Sequence, residues 1–180
     1  MPVNDNAHAL RLMESLKEID CEQAAREVGG RFPLSKSADV EKKFEWAANI
    51  CHYLEEHYDT EKITAIRKQC RCNDGKSIAK KLLKYWKQAE GVQEFVRLFN
   101  EHESFAALEY RSEHTLLFCY PQCYCACVKR VPQTLSKTWC YCTLGNAEGI
   151  FQEVFQKEVQ VSLLESIKSG ADRCVIEVKW

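Results

Sequence analysis

No stretch of this sequence approaches the ~20 consecutive apolar residues that a membrane-spanning helix needs. Its opening, MPVNDNAHALRLMESLKEID, is polar and amphipathic rather than a signal peptide. The expected setting is therefore the cytoplasm, with no membrane partner. An excess of one charge is missing too: 25 Lys and Arg stand against 26 Asp and Glu, a formal net charge of −1. Nucleic-acid binding is not expected from that balance, because neutralising phosphates takes a clear local excess of basic residues. There is no internal repeat, no low-complexity segment, and no G-x-G-x-x-G, H-E-x-x-H or G-x-S-x-G motif. The tripeptide GKS at 75–77 lacks the upstream glycine of a phosphate-binding loop, since Cys70 stands in that place.

What the chain does have is an ordinary globular composition, 46% hydrophobic and 28% charged over 180 residues, enough for a real core. Residues 1–104 read as helices. In 37–58, Val40, Phe44, Ala47, Cys51, Leu54 and Tyr58 recur at steps of four and three and so share one face. Shorter helical patterns cover 6–19, 21–28, 60–70, 76–89 and 92–102. From residue 105 the period changes. Residues 105–120 and 172–180 read as strands, as do 158–166, while 146–156 reads as a helix. Residues 123–130 and 137–143 alternate on either side of a turn at 132–135 and read as a hairpin. The expected fold is α+β: N-terminal helices packed on a mainly antiparallel sheet with one inserted helix. The expected organisation is a helical part, 1–104, and a Cys-rich α+β part, 105–180, forming one compact unit.

Cysteine is the abundant element. Of eleven, six fall between residues 119 and 142, in CYPQCYCACVKRVPQTLSKTWCYC. A reducing compartment disfavours structural disulfides, so three uses compete: metal ligation, thiol or persulfide chemistry, and inert packing. Alternate strand residues share a face. The hairpin register therefore predicts Cys127 opposite Cys140 and Cys125 opposite Cys142, a patch of four thiols that a zinc ion would satisfy. Cys70 and Cys72 could complete a site or simply end a helix. Cys21 and Cys51 occupy helical apolar positions and are expected in the core. Glu165 follows Val159, Val161 and Leu163 on one strand face, and is either carried inward toward a metal or left in solvent at the strand end. Trp139, Tyr141, Tyr124 and Phe151 are candidates to line a ligand pocket.

The last forty residues, with Cys140 or Cys142, Gly145, Gly149, Gly170 and Cys174 in a strand–helix–strand–turn–strand pattern, resemble the closing part of 4-vinyl-reductase-type small-molecule-binding domains. A weaker likeness extends to proteins grouped with L-2-amino-thiazoline-4-carboxylate hydrolase. The first resemblance implies a small-molecule ligand near a cysteine-held zinc, with Cys174 and Cys140 or Cys142 as ligands, and a homodimer. The family's acidic position falls on Leu163 and its remaining cysteine on Ser166. The function expected is small-molecule or metal binding at a Cys-rich site on the sheet. The alternative is a cysteine-dependent hydrolase or thiol reductase, with Arg173 beside Cys174, or Lys129 and Arg130 after Cys127, supplying the charge that activates a thiol.

Overall fold

A computed structural model describes residues 4–180. Six helices come first: α1 (Ala7–Ile19), α2 (Glu22–Arg31), α3 (Val40–His57), α4 (Thr60–Gln69), α5 (Lys76–Trp86) and α6 (Val92–His102). Strands β1 (Ala107–Ser112) and β2 (Thr115–Tyr120) follow, then a 3-10 helix (Lys137–Tyr141), α7 (Cys142–Phe155), β3 (Gln160–Glu165), a second short 3-10 turn (Ile167–Ser169) and β4 (Cys174–Lys179). Side chains start several helices where the sequence offers a cap. Asn6, Asp39 and Asp59 each accept a hydrogen bond from a first-turn amide of α1, α3 and α4. The fold is α+β, as expected, and among the described residues the sheet is wholly antiparallel, in the order β1-β2-β4-β3.

The chain condenses into two compact units, each drawing on residues from both sides of position 104. Unit 1 takes residues up to Cys72 and Tyr124–Gly145; unit 2 takes Asn73–Cys123 and Asn146–Trp180. Unit 1 is helical. Leu12 and Leu16 of α1, Ile50 and Leu54 of α3 and Ile66 of α4 are fully enclosed in it, and the Ser15 hydroxyl donates to the Ile66 carbonyl at 2.6 Å. Unit 2 holds the sheet. There the Asn100 side chain of α6 brackets Leu108 of β1, accepting its N–H and donating to its carbonyl, both at 2.8 Å. Phe118 of β2 meets Phe151 of α7 edge-on at 5.3 Å, and Phe155 stacks on Trp180 at 3.8 Å. None of the helices among the described residues is long and apolar enough to cross a membrane.

The Cys-rich hairpin does not form. Residues 125–131 wind into turns, with the amides of Val128 and Lys129 both donating to the Cys125 carbonyl and Val131 to that of Val128. Residues 137–141 coil into the 3-10 helix, started by the Ser136 hydroxyl, and α7 continues from Cys142. The aromatic and β-branched content of 137–143 favours a strand only where a partner strand exists to pack on. Of the two readings open for Glu165, the structure takes the solvent-facing one. The register of β3 on β4 shifts between Leu163 and Glu165, which breaks the two-residue alternation and leaves Glu165 exposed.

Candidate functional site

In α4 the buried residues recur at helical spacing: Ile63, Ile66 and then Arg67, followed by Cys70 one turn on. The period that buries the two isoleucines also carries the Arg67 guanidinium inside, where the residue retains 3% of its exposure. There the guanidinium lies over the Trp139 ring, 4.3 Å from its centroid, and its Nη2 donates to the Trp139 carbonyl at 2.7 Å. Its Nε has no acceptor, and neither has the indole Nε1 of Trp139, itself 2% exposed. Trp46 of α3 meets Trp139 edge-on at 5.7 Å, and also lines an open cleft of about 470 Å³ with Arg31, Phe32, Leu34, Lys42 and Asn49.

The other wall of Trp139 comes from α1. His8 lies 6.3 Å from the indole, and its Nδ1 accepts from Arg11 Nη2 at 3.2 Å. Arg11 Nε is a third buried N–H without an acceptor. Desolvation, joined by the charges of Arg11, Arg67 and Lys43, drives the His8 imidazole down to about 4, so it is neutral at physiological pH. Among the described residues neither arginine is ion-paired to a carboxylate. Burial works against the Arg67 charge, yet Cys70, Cys142, Cys51 and Cys125 together hold it above the ordinary guanidinium range.

The thiols around Arg67 are brought in by three elements. Cys70 caps the end of α4 and Cys51 lies on the inner face of α3. Cys142 opens α7, whose first turn is pressed onto α4: a Cβ on Gly145 would lie 2.0 Å from the Lys68 carbonyl oxygen. Only glycine permits that approach. Cys127 is buried and its thiol points to the Lys43 carbonyl at 3.7 Å, while Cys125 is partly exposed. Burial pushes Cys51, Cys127 and Cys142 up to about 12 and raises Cys70, while Arg67 pulls all four down. Glu55 bears on Cys51 and accepts a hydrogen bond from Ser136.

Of the residues singled out from the sequence, Cys125, Cys127 and Cys142 are thus gathered about Arg67, by turns and a helix start rather than by a sheet. Cys140 and Tyr141 lie on the adjoining 3-10 helix, partly exposed, and Trp139 forms the wall of the site. Tyr124 is 45% exposed. Phe151, Cys174 and Glu165 belong to unit 2. Phe151 is core between Phe118 and Phe155, and the Cys174 thiol accepts the Ile167 amide at 3.4 Å and is raised by burial. Cys21 is exposed and caps α2 by accepting the Ala24 amide; Cys51 is core. Arg173 pairs with Glu109, and its charge bears on Cys119 rather than on the neighbouring Cys174.

Among the described residues no group of three or more His, Cys, Asp or Glu is arranged to hold a metal. A dication among these thiols would also be repelled by the buried guanidinium, so the donor set does not fit zinc. Arg67, Arg11 and His8 were not candidates from the sequence. The signal for Arg67 was there to read: in TEKITAIRKQC it falls at an inward helical position beside Ile63, Ile66 and Cys70.

A family model described as DUF6144, a family of unknown function, matches residues 4–179; it is neither of the two families that the C-terminal residues resemble. No curated protein matches the chain. Among solved structures, an H-NOX protein from S. oneidensis in the Fe(II)NO ligation state is 13% identical, over 97% of this chain and 98% of that one, with a TM-score of 0.44. An Fe(II) unliganded H-NOX protein mutant from K. algicida is 8% identical, over 97% and 95%, with a TM-score of 0.46. A mutant of T. tengcongensis H-NOX is 15% identical, over 95% and 94%, with a TM-score of 0.43. Likeness at this level carries no argument about the chemistry of this chain.

Proposed function

The chain belongs to DUF6144, a family of unknown function, and we propose that it is a small-molecule-binding protein whose ligand is a small anion held within unit 1 by Arg67, Trp139 and Arg11. One observation carries the reading: three buried N–H groups, Arg67 Nε, Trp139 Nε1 and Arg11 Nε, have no acceptor. All three are donors, and two belong to cations. Each buried donor left unmet costs ~1–3 kcal/mol, and an unpaired buried charge costs more. The ring contact of Arg67 with Trp139 offsets only about 2 kcal/mol of that. Water would satisfy the hydrogen bonds but not the charge. An anion satisfies both, and an oxyanion offers acceptors on several sides, which suits donors arriving from α1, α4 and the 3-10 helix.

The neutral state of His8 supports the same reading. It accepts from Arg11 and spares the site a further positive charge, so the guanidinium groups are left as the binding charges. Isothermal titration of the purified chain with sodium sulfate, against sodium chloride at matched ionic strength, tests the site. Saturable binding of one sulfate that disappears in Arg67→Met is the expected result. Sulfate heats that never saturate, or that survive Arg67→Met, would remove the proposal.

A further inference from the structure

Independently of the anion site, we infer that strand β3 is a docking edge for a second copy of this chain, which pairs with it antiparallel about a two-fold axis. The order β1-β2-β4-β3 leaves the sheet two edges, and the fold treats them differently. On β1 the Asn100 side chain occupies the edge, accepting the Leu108 N–H and donating to the Leu108 carbonyl, both at 2.8 Å. Nothing comparable reaches β3. Among the described residues, no element other than β4 hydrogen-bonds to Val161 or Leu163. Nor does the stretch QVSLL, 160–164, carry the proline, lysine or other charge that commonly blunts an exposed edge.

The register shows which main-chain groups face outward. Leu108 spends its N–H and C=O on Asn100, so its pair with Phe118 is a non-hydrogen-bonded one. In an antiparallel ladder such pairs alternate with hydrogen-bonded ones, and Phe118 therefore turns both groups toward β4, where it pairs with Ile176. The Trp180 amide, which donates to the His114 carbonyl at 3.2 Å, keeps the same parity at the far end of β4. Ile176 thus bonds to β2, and Leu163, opposite it on the other side, turns away from β4. By the same alternation Gln160 and Ser162 bond to β4, whereas Val161 and Leu163 present their N–H and C=O groups to the outside.

This edge is complementary to itself. Centred on Ser162, the two-fold places Val161 opposite Leu163 of the second copy and Leu163 opposite its Val161. Every outward N–H then meets an outward C=O, and none is left over. Ser162 faces Ser162, and Gln160 faces Leu164, whose side chain is 47% exposed in the single chain. No two charges meet within 160–164. The register shift between Leu163 and Glu165 ends the pairing at one side, which fixes its length. With β1 already occupied by Asn100, the assembly closes at two copies instead of growing into a filament.

Sedimentation velocity of the full chain over a concentration series tests the proposal, and a reversible monomer–dimer equilibrium is the expected result. Ser162→Lys alters an exposed side chain and sets two like charges directly opposite each other, so the dimer Kd should rise by at least about tenfold. Val161→Pro removes an N–H that serves no bond inside the sheet, and should weaken the dimer while leaving the far-ultraviolet circular dichroism of the chain unchanged. In Ser162→Cys, the facing Cα atoms lie roughly 4.5 Å apart, within reach of a disulfide. Peptide mass spectrometry after mild oxidation should find the segment carrying the new thiol joined to its own copy. A chain that stays monomeric throughout overturns the inference. So does a dimer indifferent to both Ser162→Lys and Val161→Pro, a dimer linked only through other cysteines, or growth beyond two copies.

Discussion

Replacing Arg67 by methionine should leave the stability of the ligand-free protein nearly unchanged, an unusual outcome for a residue with 3% exposure. Methionine keeps the length of the side chain and removes its charge. The change loses the cation–ring contact, about 2 kcal/mol when desolvated, and leaves the Trp139 carbonyl without its donor, about 1–3 kcal/mol. Against this it recovers the desolvation penalty of an unpaired buried ion, still several kcal/mol after relaxation. The net expectation lies within about 1–2 kcal/mol of zero. Saturating anion separates the two: at a hundred times Kd, binding adds about 2.7 kcal/mol to the original chain alone. For a protein of this size that is a rise of roughly 5–11 °C in Tm. Thermal and urea unfolding of both proteins, followed by far-ultraviolet circular dichroism across a sulfate series, measures the separation. Sulfate stabilises proteins generally at high concentration through exclusion from their surfaces, so the diagnostic is a response that saturates and requires Arg67. A loss of about 3–5 kcal/mol on Arg67→Met in anion-free buffer, the cost of breaking a satisfied buried pair, would refute the reasoning. Arg67 would then be a structural group already content with its neighbours.

Gly145→Ala places a methyl group 2.0 Å from the Lys68 carbonyl oxygen and 2.8 Å from its carbon. It should cost about 3 kcal/mol in urea unfolding and abolish sulfate binding; a neutral substitution would mean that α7 does not press on α4. Acidification should weaken the protein through His8, whose folded value of about 4 lies below the ordinary 6.5. The unfolded chain binds that proton first as pH falls, so stability is complete above about 6.5 and declines toward 4, by about 1–2 kcal/mol at pH 5 once partial exposure is allowed for. In His8→Gln the same urea series between pH 7 and 5 should run flatter by that amount; an unchanged slope would place His8 in solvent.

The α helices were largely legible because their apolar residues repeat at a period no strand can use: the 37–58 face reappears as α3 with Ala47, Cys51 and Leu54 buried. The antiparallel strands of unit 2 were legible for the corresponding reason, β-branched and aromatic runs bounded by turn residues, with β1 and β2 parted near Ser112. Residues 123–143 misled, since alternation in a short Cys-, Tyr- and Trp-rich stretch satisfies the two-residue period without supplying a strand to pair with. Local composition has no means of telling the two apart.

Fold class, most element positions and the concentration of thiols between 119 and 142 are therefore properties of the local sequence. What those thiols face depends on long-range packing. The Arg67 side chain comes from a helix more than fifty residues upstream of Cys125, and Gly145 admits α7 to it through a backbone contact that no periodicity encodes. Burial then sets the electrostatics, because removing water strengthens the field of one guanidinium over several sulfurs and makes its unmatched Nε–H costly.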